Sequence, residues 1–121
     1  MQERPNVIVD KTFEFALLIV EFAERLESNR KYVIANQLLK SGTSIGANVR
    51  EAQNAESKAD FIHKMKIAAK EADETEYWLL LCKRAENYPD SENLQMEVRE
   101  IIRILSKIIS SSKSKTLTGS N

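Results

Sequence analysis

The sequence predicts an all-α protein, an antiparallel up-down-up-down four-helix bundle, and three observations predict it. The 121 residues include only three glycines and two prolines, too few for the turns that a sheet protein of this size needs. Apolar residues recur at three- and four-residue spacing through four long segments, which is the period of helices with a buried face. The breaks between these segments are short and carry capping residues, and short connections favour antiparallel neighbours. A chain of this length makes one domain. Residues 1–9 are expected as an extended lead, 10–110 as the bundle, and 111–121 as a flexible polar tail.

The first helix is expected over 10–28, capped by Asp10. Its wheel carries two apolar stripes. One is Phe13, Ala16, Leu17, Val20 and Ala23; the other, on the opposite side, is Phe15, Leu18, Ile19, Phe22 and Leu26. A surface helix needs only one stripe, so the second is expected to lie against another copy of the chain. Phe15, Leu18, Ile19, Phe22 and Leu26 are therefore candidate interface residues. Asn29 and Arg30 make the turn, and the second helix is expected over 31–55.

Inside that second helix lies the stretch around which the chain is organised, SGTSIGANVREA at 41–52. Each glycine costs a helix about 1 kcal/mol relative to alanine, a cost that close packing can offset. Ile34, Leu38, Ser41, Ile45, Asn48, Val49 and Ala52 share one face, with Gly42 and Gly46 one turn apart beside it. Small residues four apart let another backbone approach, and Ser41 and Asn48 can hydrogen-bond across the contact. The third helix, expected over 58–86, opens on the cap Ser57 with Asp60 at its third position. Its stripe is Phe61, Met65, Ala68, Ala72, Thr75, Leu79 and Cys82. The run 77–82 (YWLLLC) is apolar all round, which adds Trp78 and Leu81 to the interface candidates. After Pro89, Asp90 or Ser91 caps a fourth helix to about residue 110, with Leu94, Val98, Ile101, Ile102, Leu105, Ile108 and Ile109 inward.

Several chemistries are disfavoured by the residues themselves. Asp60 and His63 have an acid-x-x-His spacing, but a di-metal bundle needs two such pairs and the chain has one histidine. Cys82 lies among leucines, which raise a thiol pKa rather than activate it, and a single cysteine forms no internal disulfide. It reads as a buried reduced thiol of a cytoplasmic protein. Gly42 and Gly46 lack the strand and the Lys-Thr of a phosphate loop. No catalytic residue, metal site or cofactor is expected, and no window is long and apolar enough to cross a membrane. Of Glu71, Glu74 and Glu76, one is a candidate to reach Asn48, Arg50 or a neighbouring subunit and so fix register.

The formal net charge is zero, so no global field draws the chain to nucleic acid. Local charge is uneven, because no acid follows Glu100 while Arg103, Lys107, Lys113 and Lys115 do. With Lys64, Lys66 and Lys70 of the third helix, these are the candidate nucleic-acid contacts, through phosphate and hence salt-dependent. A ring of copies would multiply any such patch.

The motif SGTSIGANVREA, followed by NAESKADFIHKMKIAAKEADETEYWLLL at 54–81, resembles the 23S rRNA intervening-sequence protein family of bacterial four-helix-bundle proteins. The match spans residues 9–109; SIGANVREA, Ser57-Lys58, Phe61 and ETEYWLL are its most specific parts. The resemblance implies a left-handed bundle assembled into a ring, usually a pentamer. It also implies a likeness to the accessory protein of diversity-generating retroelements, a basic pentameric barrel that binds nucleic acid and contacts a reverse transcriptase. This chain departs from that relative in being neutral. The family supplies no catalytic residues, and Ser41, Gly42, Ser44, Gly46, Asn48 and Glu51 are expected to be structural. Two functions follow: a homo-oligomeric adaptor associated with RNA or a nucleic-acid-handling protein, or a protein-interaction scaffold without nucleic acid.

Overall fold

The computed structural model describes residues 6–119, and side chains as far as Ser114. The described residues form four α-helices, α1 (Val7–Ser28), α2 (Tyr32–Ala52), α3 (Lys58–Arg84) and α4 (Glu92–Gly119). Residues 1–5 of the expected lead, the last two residues and the Lys115 side chain lie outside the described residues.

α2 and α3 end at Ala52 and Arg84, three and two residues short of expectation, and two other ends differ more. α1 starts at Val7 because Asn6, not Asp10, is its cap: the Asn6 side chain accepts from the Val9 N–H at 3.5 Å. Asp10 instead lies in the first turn, where its charge meets the positive helix end. α4 continues through much of the expected tail, since serine, lysine and threonine are tolerated in a helix already nucleated by the apolar turns before them. Elsewhere local chemistry sets the bounds. Ser57 accepts from Asp60 N–H at 3.0 Å, and the Asp60 carboxylate accepts from Glu56 N–H at 3.2 Å. α1 closes with Arg30 N–H bonded to Glu27 O and Lys31 N–H to Leu26 O, a Schellman end that holds Arg30 at φ 64°.

The helices pack in a closed circuit, α1 on α2, α2 on α3, α3 on α4 and α4 back on α1. The core at its centre includes Phe15, Ile19, Leu26, Leu38, Ile45, Met65, Leu79, Ile101 and Leu105. The glycines of α2 face α1. A Cβ at Gly42 would stand 2.8 Å from both Cγ1 and Cγ2 of Ile19, and one at Gly46 3.2 Å from the Thr12 carbonyl oxygen. Two polar contacts fix the other joints. The Thr75 and Ser41 hydroxyls lie 2.9 Å apart, and Thr75 Oγ1 also donates to Glu71 O at 2.7 Å; having one proton, Thr75 is left to accept from Ser41. On the far side of α3, Ser91 Oγ and Gln95 Nε2 both donate to Leu79 O, at 3.1 and 3.0 Å. That carbonyl has two lone pairs, and it pins the start of α4 to the end of α3.

Candidate interaction surfaces

The α1 stripe expected to meet another copy is mostly enclosed within the chain itself. Phe15 is 1% exposed, Ile19 0%, Phe22 3% and Leu26 0%, so these four belong to the chain's own core. Leu18 is half-buried and, with Phe22, Glu21, Arg25 and Asp90, lines a groove between α1 and the start of α4. The reason is the glycine face of α2, which admits the Ile19 stripe of α1 at close range and turns the opposite stripe outward. Phe13, Leu17 and Val20 are 52%, 47% and 36% exposed.

That outward stripe borders a groove of about 230 Å³ between α1 and α2, lined by Val9, Phe13, Ala16, Thr43, Ala47 and Arg50, with Gly46 at its floor. Leu39, one turn from Thr43, extends it and is 39% exposed. Thr43 Oγ1 donates to Leu39 O at 2.6 Å, so the rim of the groove presents methyl and methylene groups more than polar ones.

A second apolar surface lies on α3. Tyr77, Leu80 and Leu81 are 57%, 37% and 38% exposed. Trp78 is half-buried beside them, its ring edge-on to Tyr77 with centroids 5.4 Å apart. The Trp78 indole N–H is buried and finds no acceptor among the described residues. Leu81 also lines an apolar hollow of about 390 Å³ with Ile34, Cys82 and Tyr88. Cys82 itself is 2% exposed, and burial pushes its thiol up to about 11.

The remaining motif residues look inward, to their own helix or, for Glu51, across to α3. Ser41 meets Thr75 as described, whereas Asn48 Nδ2 donates to Ser44 O at 2.8 Å and Ser44 Oγ to Lys40 O at 2.7 Å. Glu51 forms an ion pair with Lys64 at 3.6 Å. Of the three glutamates of α3, Glu76 meets Arg99 of α4 at 3.1 Å rather than Asn48 or Arg50.

The candidate phosphate contacts divide. Lys64 faces α2 and is engaged by Glu51. Lys66 and Lys113, from α3 and α4, come together: the Lys66 amine, within hydrogen-bond reach and of like charge, lowers the pKa of Lys113. Lys70, Arg103 and Lys107 are exposed, and Arg103 lines a shallow groove with Glu97, Arg99 and Glu100. Asp60 and His63 join no cluster of three or more metal-ligating side chains among the described residues. Sequence reasoning missed Lys11, which reaches Glu97 and Glu100 of α4 at 3.3 and 3.4 Å, and the buried Gln95. Neither departs from an ordinary helical pattern, so only the fold reveals them.

These features define a class: a small all-α protein whose apolar and charged surfaces lie along the outsides of its helices. The chain belongs to the 23S rRNA-intervening sequence protein family, whose model matches residues 4–107. It is similar to a crystallographically solved protein of unknown function from the S23 ribosomal protein family of Bacteroides thetaiotaomicron. The two are 48% identical, with 84% of this chain and 97% of that chain covered and a TM-score of 0.80. No curated protein matches. No helix of the described residues is long and apolar enough to cross a membrane.

Proposed function

We propose that the protein is a non-enzymatic bundle, with helices running up-down-up-down, that assembles with its own copies into a ring, pentameric as the family resemblance implies, and serves as an adaptor for RNA or a ribonucleoprotein. The observation that carries the assembly is the pair of exposed apolar surfaces, Phe13-Leu17-Val20 on α1 and Tyr77-Leu80-Leu81 on α3. Contiguous apolar surface of this kind marks interaction sites. The antiparallel order is supported by three contacts. Asn6 before α1 meets Gln53 after α2 at 2.9 Å, Glu51 late in α2 meets Lys64 early in α3, and Glu76 late in α3 meets Arg99 early in α4. A structural role for the interior is supported by its polar residues: Thr12, Ser41, Thr75, Ser91 and Gln95 are buried and spent on hydrogen bonds between or within helices.

The RNA arm rests on the lysine pair at the α3–α4 seam, which a ring would repeat, and on the family. Light scattering at micromolar concentration tests the assembly, and a monomer there refutes it. A gel shift with structured RNA across a salt series tests the adaptor role; RNA binding should weaken steeply as salt rises. No shift at low salt leaves the second reading, a protein scaffold, which the zero net charge and the Lys64–Glu51 pair favour.

A further inference from the structure

The two exposed apolar surfaces differ in shape, and their ends differ in charge. The α1–α2 surface is a groove floored by Gly46, Ala16 and Ala47. The α3 surface is the outer face of a helix, a ridge on which Tyr77 is the most exposed apolar side chain. At one end of the groove stands Arg50, and one turn beyond Val20 at the other end stands Glu24. Along the ridge the order is reversed: Glu74 precedes Tyr77, and Arg84 follows Leu81. All four charged side chains belong to exposed residues, and none forms an ion pair among the described residues. Asp10 and Lys40 are also exposed, but each sits a step around its helix from the groove-facing positions.

We propose that the α3 ridge of one chain seats in the α1–α2 groove of the next, with Glu74 against Arg50 and Arg84 against Glu24 of the receiving copy. This rests on the oligomeric reading above and specifies its contact. Lengths are compatible: from Glu74 to Arg84 the ridge runs about 15 Å, and from Arg50 to Thr43 the groove lining runs about 10 Å, at 1.5 Å per residue, with the exposed stripe continuing beyond it through Leu17 and Val20 toward Glu24. The long Arg84 side chain spans the last turn to Glu24. Polarity agrees as well. With Glu74 at the Arg50 end, the incoming α3 runs in the direction of the receiving α1. Within one up-down-up-down chain, α1 and α3 also run the same way. A rotation about an axis parallel to the bundle therefore carries each copy onto the next, which is what a closed ring requires. Because ridge and groove are different surfaces, the contact is heterologous, which excludes a two-fold dimer and closes into a ring when the rotation divides a full turn.

The test is charge reversal across the contact, read as the concentration of half-assembly by sedimentation, with helicity followed by circular dichroism. Arg50→Glu alone and Glu74→Arg alone should each raise that concentration about tenfold or more by opposing like charges, at unchanged helicity. The double variant, with the pair restored in reverse, should recover most of the loss. If the wild type assembles but neither single change matters, or the double variant is no better than the singles, the pairing is wrong while the oligomer stands. If Phe13→Glu disrupts assembly and Glu74→Arg does not, groove packs on groove and the ridge proposal falls. If the wild type is monomeric, the pairing and the oligomeric reading fall together, and these surfaces belong to another protein.

Discussion

Helix α1 carries two apolar stripes of five residues each, and the fold treats them oppositely. Phe15, Ile19, Phe22 and Leu26 are at most 3% exposed, while Phe13, Leu17 and Val20 keep 36–52% of their surface. The inward stripe is the bulkier, with two phenylalanines and no alanine, and the partner helix accommodates that bulk: α2 offers Gly42 and Gly46 to α1, where they meet Ile19 and Thr12 on the inward side. Apolar periodicity therefore says that two faces need cover, whereas bulk and the small residues of the neighbouring helix together say which face the chain covers itself.

The largest predicted effect comes from truncating a phenylalanine on each stripe. Phe15→Ala should lose about 3–5 kcal/mol of folding stability, as large cavities in a packed core do. Phe13→Ala should lose less than about 1 kcal/mol in a monomer, as exposed substitutions do, and should instead weaken self-association. Denaturant titration under conditions that keep the chain monomeric separates the two. Equal losses would erase the distinction between the stripes.

Next in size is the glycine at that contact. Gly42→Ala places a methyl group 2.8 Å from two branches of Ile19, and a β-branched side chain in a helix has little rotamer freedom to withdraw. Overpacking of about 1–3 kcal/mol should outweigh the propensity gain of about 1 kcal/mol, for a net loss. Gly46→Ala meets only a tight contact of 3.2 Å with Thr12 O, and its gain and strain should nearly cancel. Adding Ile19→Ala to Gly42→Ala should cost less than the two separate losses combined, because the methyl then fills part of the space that Ile19 vacates. Additive losses would mean that Gly42 does not act through Ile19.

The fold class was legible because four apolar periods, the Ser57-Asp60 start of α3 and the Pro89 break all belong to local sequence. The buried stripes of α2, α3 and α4 were legible for the same reason. Which stripe of α1 turns inward was not legible, because it depends on how the α2 glycines meet Ile19 and Thr12, a contact between segments far apart in sequence. Helix ends were less legible, since Asn6 and Asp10 are both good caps and their rank depends on where the first buried apolar side chain falls, which among the described residues is Ile8. Of the surfaces, Leu81 and the α3 run could be anticipated from an excess of apolar residues. The Lys66–Lys113 approach could not, because it joins residues 47 apart through the relative tilt of two helices.

The inside–outside contrast recurs on α3 in adjacent residues, Leu81 at 38% and Cys82 at 2% exposure, and pH sharpens it. The folded thiol titrates near 11, against an ordinary value of 9.0. Between those values the native chain keeps a proton that the unfolded chain releases. Stability should therefore be unaffected by this group below pH 9 and fall as pH rises toward 11, by at most about 1.4 kcal/mol per unit. Cys82→Ala should remove that part of the slope in alkaline denaturation curves. An unchanged slope would mean that water reaches the thiol.

The smallest effect serves as the control for all of these, because it lies where both stripes of α1 end. Arg30 occupies a left-handed conformation, φ 64°, at the Schellman position that glycine usually fills. Its side chain is exposed and forms no ion pair among the described residues, so little is lost by removing it. Arg30→Gly should raise folding stability by about 0.5–1 kcal/mol, relief of the left-handed cost exceeding the extra chain entropy of glycine. It touches neither the core stripe nor the groove, and the concentration of half-assembly should stay where it is. A variant that gains stability without gaining association establishes that the two can be read independently in this chain. If assembly instead tracks the stability of Arg30→Gly, the chain folds and associates in one step, and the small cost expected for Phe13→Ala must be sought in the assembled form.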